Sequence, residues 1–158
     1  MRHIISVLVE NKFGVLARIA GLFSARGYNI ASLAVSQTRD PAISYMTIVV
    51  EVSDEKILEQ IKKQLHKLID VITVTDFTKK EHLDRELILA KVPYSPKEKV
   101  KLENLLAKYL GKVIRHKGDT AIIEAVGEQH QIKQLLEELE KIGIKELVRT
   151  GRIAIAEN

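Results

Sequence analysis

The sequence lacks cysteine and tryptophan altogether, and it contains only three prolines, three phenylalanines and four tyrosines. Without cysteine there can be no disulfide, no thiolate nucleophile and no cysteine-ligated zinc site. No run of eighteen apolar residues is present, which excludes a membrane-spanning helix. The apolar stretch near the start is too short for a signal peptide and soon meets Glu10. We therefore expect a cytoplasmic protein.

The composition is that of a folded protein with a solvated surface. Of 158 residues, 46% are hydrophobic, and 25 basic against 21 acidic residues leave a net charge of +4. The lysines and glutamates are interleaved along the presumed helices and form no single block. Dispersed charge of this kind favours a solvated face over a nucleic-acid-binding patch. We expect neither a nucleic acid nor a membrane as a partner.

The first half of the chain alternates between strand and helix patterns. Runs rich in Val and Ile at 4–9, 30–37, 46–52 and 71–77 are typical of strands. Apolar residues recur between them at helical spacing, first at Val15, Leu16, Ile19, Leu22 and Phe23, and then at Ile57, Leu58, Ile61, Leu65 and Leu68. Gly27 is predicted to cap the first helix at its end, and Ser53 or Asp54 to cap the second at its start. The predicted order is β-α-β-β-α-β.

The second half repeats that order. The stretch Ser95-Pro96-Lys97-Glu98 indicates a capping box with proline at the first helical position. Lys117-Gly118-Asp119 is typical of a hairpin turn, Gly143 follows the fourth helix, and the last strand, 146–156, is broken at Gly151. We predict an α+β fold of two ferredoxin-like βαββαβ domains, at 1–78 and 79–158.

The second strand of a ferredoxin-like sheet normally lies at an edge. Here that strand, 29–38, has no proline and no charged residue, although isolated edges are usually protected by such residues. The simplest partner for an unprotected edge is the same strand of a second copy, related by a two-fold axis. We favour this homodimer; the alternative is that the second domain covers the edge.

The turn before the first helix is the candidate binding site. Gly14 lets a ligand approach the backbone, and a helix start offers free N–H groups to a carboxylate. Asn11 and Asn29 can accept from an ammonium group or donate to a carboxylate. No cationic residue is needed. The alternative is that Asn11 only caps the helix, Gly14 only makes a turn and Asn29 only starts a strand.

Apolar neighbours indicate the kind of ligand. Val15, Leu16 and Ile30 can shelter an aliphatic side chain, which contributes about 0.8 kcal/mol per buried CH₂. Across a two-fold axis, the helix start of one copy could approach residues 29 and 30 of the other. The predicted ligand is a free α-amino acid with a small branched side chain. The predicted effector-binding residues are Asn11, Gly14, Val15, Leu16, Asn29 and Ile30.

Several stretches resemble one family closely. They are Asn11-Lys12-Phe13-Gly14-Val15-Leu16, Gly21-Leu22-Phe23-Ser24, Arg26-Gly27-Tyr28-Asn29-Ile30 and "DEKILEQIKKQLHKLIDVITV" at 54–74. These stretches resemble the ACT domain of the small, regulatory subunit of acetolactate (acetohydroxyacid) synthase. The resemblance is strong over residues 1–80 and mostly topological beyond them.

The resemblance implies a function without catalysis. Such subunits dimerise through their ACT domains and bind valine, or a related branched-chain amino acid, at the interface. They dock on a large catalytic subunit that holds thiamine diphosphate, FAD and magnesium, raise its activity and confer feedback inhibition in branched-chain amino acid biosynthesis. The family's effector positions match the six residues named above. The resemblance therefore implies no cofactor, metal or catalytic residue in this chain.

Functions of other classes find little support. No two of the five histidines have metal-ligand spacing such as HxxxH, and no G-x-G-x-x-G or P-loop occurs. An acylphosphatase needs an arginine in the loop after the first strand, and an RRM domain needs aromatic residues on its central strands; both are missing. A transcription regulator needs a helix-turn-helix segment that the second half does not offer. The remaining alternative is a stand-alone ACT-type amino-acid sensor that acts on another enzyme or regulator.

Overall fold

The computed structural model describes residues 2–52 and 54–157. Strand and helix alternate along the first half as the sequence predicts: β1 Arg2–Glu10, α1 Val15–Ser24, β2 Asn29–Gln37, β3 Ile43–Glu51, α2 Glu55–Leu65 and β4 Val71–Asp76. The second half follows with β5 His82–Pro93, α3 Pro96–Lys108, β6 Lys112–Lys117, β7 Thr120–Gly127, α4 Gln129–Ile142, β8 Glu146–Arg149 and β9 Ile153–Ala156.

Two antiparallel sheets have the same topology. The first has the strand order β2-β3-β1-β4, and the second has the order β6-β7-β5-β8, with β9 also paired to β5. Both orders are ferredoxin-like, so the predicted fold class is confirmed. The predicted edge position of β2 is confirmed as well. The predicted break in the last strand separates β8 from β9, and Gly151 lies in it with a φ of +76°.

The chain forms two compact units. One unit comprises Met1–Leu83 together with Arg152–Asn158, and the other comprises Asp84–Gly151. The domain boundary after residue 78 stays a prediction. Among the residues that the structure describes, no helix is long and apolar enough to cross a membrane.

In the first unit, α1 and α2 cover one face of the sheet. Their apolar stripes interlock with alternate residues of the strands, and the largest fully buried side chain of this core is Phe23. The end of α1 is fixed by the N–H of Gly27, which donates to the carbonyl of Ser24, and by the N–H of Tyr28, which donates to that of Phe23. With a φ of +68° at Gly27, this is a Schellman motif, so the predicted cap is confirmed.

In the second unit, α3 and α4 pack on the sheet around a core of aliphatic residues. One carboxylate lies beside this core: Glu86 is 3% exposed, and its two oxygens accept from Nε and Nη2 of Arg149 at 2.8 and 2.7 Å. The fork satisfies both oxygens, as a buried carboxylate requires. The hydrogen bond to Glu86 raises the pKa of Arg149 further above its ordinary value, although burial opposes this.

Of the two side-chain caps predicted at helix starts, the one at α2 is confirmed and the one at α3 is wrong. The carboxylate of Asp54 accepts from the N–H of Lys56 at 3.0 Å and caps α2, while Ser53 lies outside the described residues. The start of α3 at Pro96 is as predicted, but Ser95 makes no side-chain cap bond, so the capping box there is wrong. The box is found at the start of α4 instead, between Glu128 and Gln131.

Candidate effector-binding site

The loop between β1 and α1 is held by Asn11. Its backbone N–H donates to the carbonyl of Ala42 at 2.7 Å, and its Nδ2 donates to the carbonyl of Pro41 at 2.9 Å. Asn11 therefore does not cap α1. This bond uses one of the two Nδ2 hydrogens and fixes the orientation of the amide, so that Oδ1 is available as an acceptor on this exposed loop.

Helix α1 starts without a capping side chain. Its N-cap is Gly14, which has a φ of +78° and a ψ of −4°, in the left-handed region that glycine adopts easily. No acidic residue lies in the first turn. Within 2–52 and 54–157, the backbone N–H groups of Leu16 and Ala17 have no hydrogen-bond partner. This helix start has the free donors and the positive dipole end that suit a carboxylate.

The two apolar residues beside Gly14 have different environments. Val15 is 3% exposed and belongs to the core of the first unit. Leu16 is 44% exposed and adjoins the free N–H groups. Val15 therefore anchors the loop in the core, and Leu16 is the aliphatic side chain that a ligand can contact.

Asn29 and Ile30 begin β2 at the sheet edge. Asn29 lies opposite Glu51 of β3, and Ile30 lies opposite Val50 and packs, half-buried, against the core. The hydrogen bond and the charge of Arg2 lower the pKa of Glu51, and a hydrogen bond from Asn29 lowers it further. Asn29 is exposed, so its amide can be reached from outside the sheet.

Within one chain, the predicted site residues form two separate groups. Arg2 at the start of β1 pairs with Glu51, which also pairs with Asn29, so Asn29 lies at the row where β1 begins. Asn11 follows Glu10, where β1 ends. At about 3.3 Å per residue, the nine residues of β1 separate these rows by roughly 25 Å. A single chain does not bring Asn29 to the helix start.

Arg18 is a cation at the helix start that no sequence motif indicated. Nε and Nη2 of Arg18 both donate to Oδ2 of Asp70, at 2.9 and 2.6 Å. An ideal Cβ placed on Gly14 would lie 3.0 Å from Nη1 of Arg18. The only signal in the sequence was the spacing, because residues 14 and 18 are four apart and therefore neighbours on a helix surface.

The described part of the chain has no cluster of metal-ligating side chains. Nowhere in it do three or more His, Asp or Glu side chains come together as metal ligands would. His3 is 6% exposed, and its Nδ1 lies 2.9 Å from the hydroxyl of Thr78, which is an ordinary satisfied contact. The candidate site of the first unit is the helix start with Asn11, Gly14 and Arg18, where free donors and a fixed cation come together.

Comparisons with known proteins cover nearly the whole chain. The family model described as the AHAS small subunit-like ACT domain matches residues 5–73, and the one described as the small subunit of acetolactate synthase matches residues 85–158. A probable acetolactate synthase small subunit from Archaeoglobus fulgidus is 43% identical over 98% of this chain and 96% of its own length. The acetolactate synthase small subunit from Aquifex aeolicus is 44% identical over 98% of this chain and 80% of its own length.

A solved structure agrees with these sequence matches. The crystal structure of the acetolactate synthase small subunit from Thermotoga maritima superposes with a TM-score of 0.89 at 34% identity, covering 100% of this chain and 98% of that one. Fold, both family models and the relatives point to one family. The chain belongs to the small-subunit family of acetolactate synthase, whose members are regulatory subunits with an N-terminal ACT domain.

Proposed function

We propose that this chain binds valine, or a related branched-chain amino acid, between two copies of itself and thereby regulates acetolactate synthase. In this proposal the chain activates a large catalytic subunit, which carries thiamine diphosphate, FAD and magnesium, and the bound effector confers feedback inhibition. This chain contributes no catalytic group. Family membership supports the catalytic subunit as the partner. The free donors at the start of α1 support a ligand with a carboxylate. The observation that carries the proposal is the unguarded edge strand β2.

Pairing through β2 would unite the two groups of residues. The edge strand, from Asn29 to Gln37, has no proline and no charge along its length. In an antiparallel pair whose two-fold axis passes through Leu33, the middle of β2, the partner's Asn29 would lie beside Gln37. Gln37 pairs with Ser44, and Ser44 pairs with Val9, close to the end of β1. The partner's Asn29 is thus carried to the end of the sheet where Asn11 and the start of α1 lie.

The chemistry of this shared site fits a zwitterion. The carboxylate takes the free N–H groups at the start of α1, and the ammonium group donates to Oδ1 of Asn11. Leu16 and the partner's Ile30 flank the aliphatic side chain. Symmetry gives two such sites in each dimer.

Regulation then follows from linkage. An effector shifts an equilibrium only by its difference in affinity for two states of the protein. A ligand held by two copies binds one arrangement of the dimer better than another, and that arrangement alters how the catalytic subunit is held. A coupling of about 1–3 kcal/mol is ordinary for such a device.

The substitution Gly14→Asp tests the site. It places a carboxylate where the effector's carboxylate binds and adds a Cβ at a φ of +78°, so valine inhibition should weaken by about tenfold or more. The measurement is the activity of the reconstituted synthase, titrated with valine. Activation without valine should persist, because the change lies away from the core.

Gly21→Asp is the matched control. Gly21 lies on the same helix and is exposed, an ideal Cβ placed on it would meet no neighbouring side chain within 4 Å, and the substitution adds the same charge. Its valine inhibition should equal that of the wild type. If Gly14→Asp is inhibited by valine as strongly as Gly21→Asp, the effector does not bind at this helix start.

A further inference from the structure

The guanidinium of Arg18 is only partly used within the chain. Two of its nitrogens, Nε and Nη2, converge on a single oxygen of Asp70. The third nitrogen, Nη1, has no hydrogen-bond partner among the residues that the structure describes, and it lies 3.0 Å from the point where a Gly14 Cβ would be. The side chain of Arg18 is 48% exposed, so a ligand can approach it from solvent.

Asp70 fixes that guanidinium in place. Its side chain is 10% exposed, and its carbonyl accepts from the N–H of Glu10 at 2.9 Å, which ties it to the end of β1. The nearby Lys12 is already engaged with Glu10 at 2.6 Å. The hydrogen bond and charge of Glu10 raise the pKa of Lys12, with a smaller contribution from Asp70. Lys12 keeps free N–H donors as well, but its carboxylate partner is 42% exposed, whereas the partner of Arg18 is 10% exposed, so Arg18 is the better fixed of the two cations.

We propose that Nη1 of Arg18 receives the carboxylate of the effector, and that Asp70 is the positioning residue that holds the guanidinium for it. This inference rests on the proposed function and adds to it a preference for ligands that have a free carboxylate. The charges of Glu10, Lys12, Arg18 and Asp70 cancel, so a zwitterion leaves the site neutral. An amino-acid amide lacks the carboxylate and brings an uncompensated ammonium group close to Arg18.

The lack of a side chain at residue 14, which its φ of +78° already favours, also keeps the space beside Nη1 open. A Cβ there would lie 3.0 Å from Nη1, in the space through which the carboxylate approaches. The alternative is that the Arg18–Asp70 pair only anchors α1 to the loop before β4. If the pair is purely structural, Arg18→Gln should lower the stability of the chain and leave its preference for valine over the amide unchanged.

The experiment is calorimetric titration of the full chain with valine and with valinamide at one pH. The wild type should prefer valine by about tenfold or more, as a charge-assisted hydrogen bond to a carboxylate predicts. In Arg18→Gln that ratio should fall severalfold, because only the N–H groups at the start of α1 then bind the carboxylate, and Arg18→Lys should retain part of the lost preference. Arg18→Gln with the wild-type ratio overturns the inference while leaving the proposed function intact.

Arg26→Gln is the matched control, since Arg26 lies beyond the other end of α1 and donates to Gln64 at 2.9 Å. Its ratio should equal that of the wild type. A second measurement uses only the wild type, so it does not depend on a variant that folds. The guanidinium ¹⁵N chemical shift of Arg18 should change when valine is added and should not change when valinamide is added. If the protein binds valine and the Arg18 chemical shift does not change, the inference is overturned. A wild type that binds neither compound overturns the proposed function together with it.

Discussion

The two units share one topology, but their equivalent edge strands differ in charge. In the first sheet the edge strand β2 is uncharged along its whole length, from Asn29 to Gln37. In the second sheet the equivalent edge strand β6 carries Lys112, Arg115, His116 and Lys117. Basic residues on an edge discourage another strand from pairing with it. The comparison teaches that the fold allows an edge to pair, and that the side chains decide which edge does.

The first helix of each unit shows the same contrast. Helix α1 starts at Gly14 with no capping side chain and no acid in its first turn. Helix α3 starts with Pro96, which has no N–H, and carries Glu98 in its first turn. Glu98 lies at the positive end of its own helix, where an external anion would otherwise bind. Of these two helices, α1 is the one whose start is open to a ligand.

The largest effect is expected from adding charge to β2, because this would make its edge resemble the basic edge of β6. In a symmetric antiparallel pair centred on Leu33, Ala31 lies opposite the partner's Val35, and both are exposed. The double substitution Ala31→Lys with Val35→Lys would place lysines face to face and should separate the copies. Light scattering should give 17.8 kDa for the variant and about twice that mass for the wild type.

The matched control adds a lysine to the other edge. Ile114 on β6 is 48% exposed, and Ile114→Lys should leave the mass unchanged. Valine binding should disappear only in the β2 variant. A β2 variant that keeps both the wild-type mass and its valine affinity would show that the copies do not pair through this strand.

A smaller effect is expected from transferring the acid of α3 to α1. Ala17 and Glu98 are both the third residue of their helices, and Ala17 is exposed. Ala17→Glu should stabilise the chain by about 0.3–1 kcal/mol at the helix start, and should weaken valine binding by about threefold to fivefold through repulsion of the carboxylate. Thermal melting and calorimetry measure the two effects.

Glu98→Ala is the reciprocal change. It should lower the melting temperature slightly and leave valine affinity unchanged, because α3 has no ligand in this account. Equal valine affinity in Ala17→Glu and in the wild type would remove the first turn of α1 from the binding site.

Local patterns were enough to predict the fold. The apolar spacing of α1, the Gly27 cap and the proline at the start of α3 each depend on residues close together in sequence, and all three are confirmed. The capping box at Ser95 failed because the pattern fixes where a helix starts but not which way a serine hydroxyl points. The box at Glu128 was missed because glutamate is not among the favoured cap residues.

The candidate site was only partly accessible to the same reasoning. The spacing around Gly14 pointed to a helix start, and the structure has one there. The orientation of the Asn11 amide depends on the carbonyl of Pro41, thirty residues away, and Arg18 depends on Asp70, fifty-two residues away. Contacts between residues so far apart in sequence are set by tertiary packing, which no local pattern contains.

A mixed dimer tests most directly whether two chains share each site. Gly14→Asp damages the loop of one chain and Asn29→Ala damages the β2 start of the other, so each homodimer should bind valine poorly. If the site is shared, the mixed dimer contains one intact site, made of Gly14 from one chain and Asn29 from the other. Calorimetry on separately tagged, co-purified chains should then give about one valine per mixed dimer with an affinity close to that of the wild type. A mixed dimer that binds valine no better than its two parents would contradict the account.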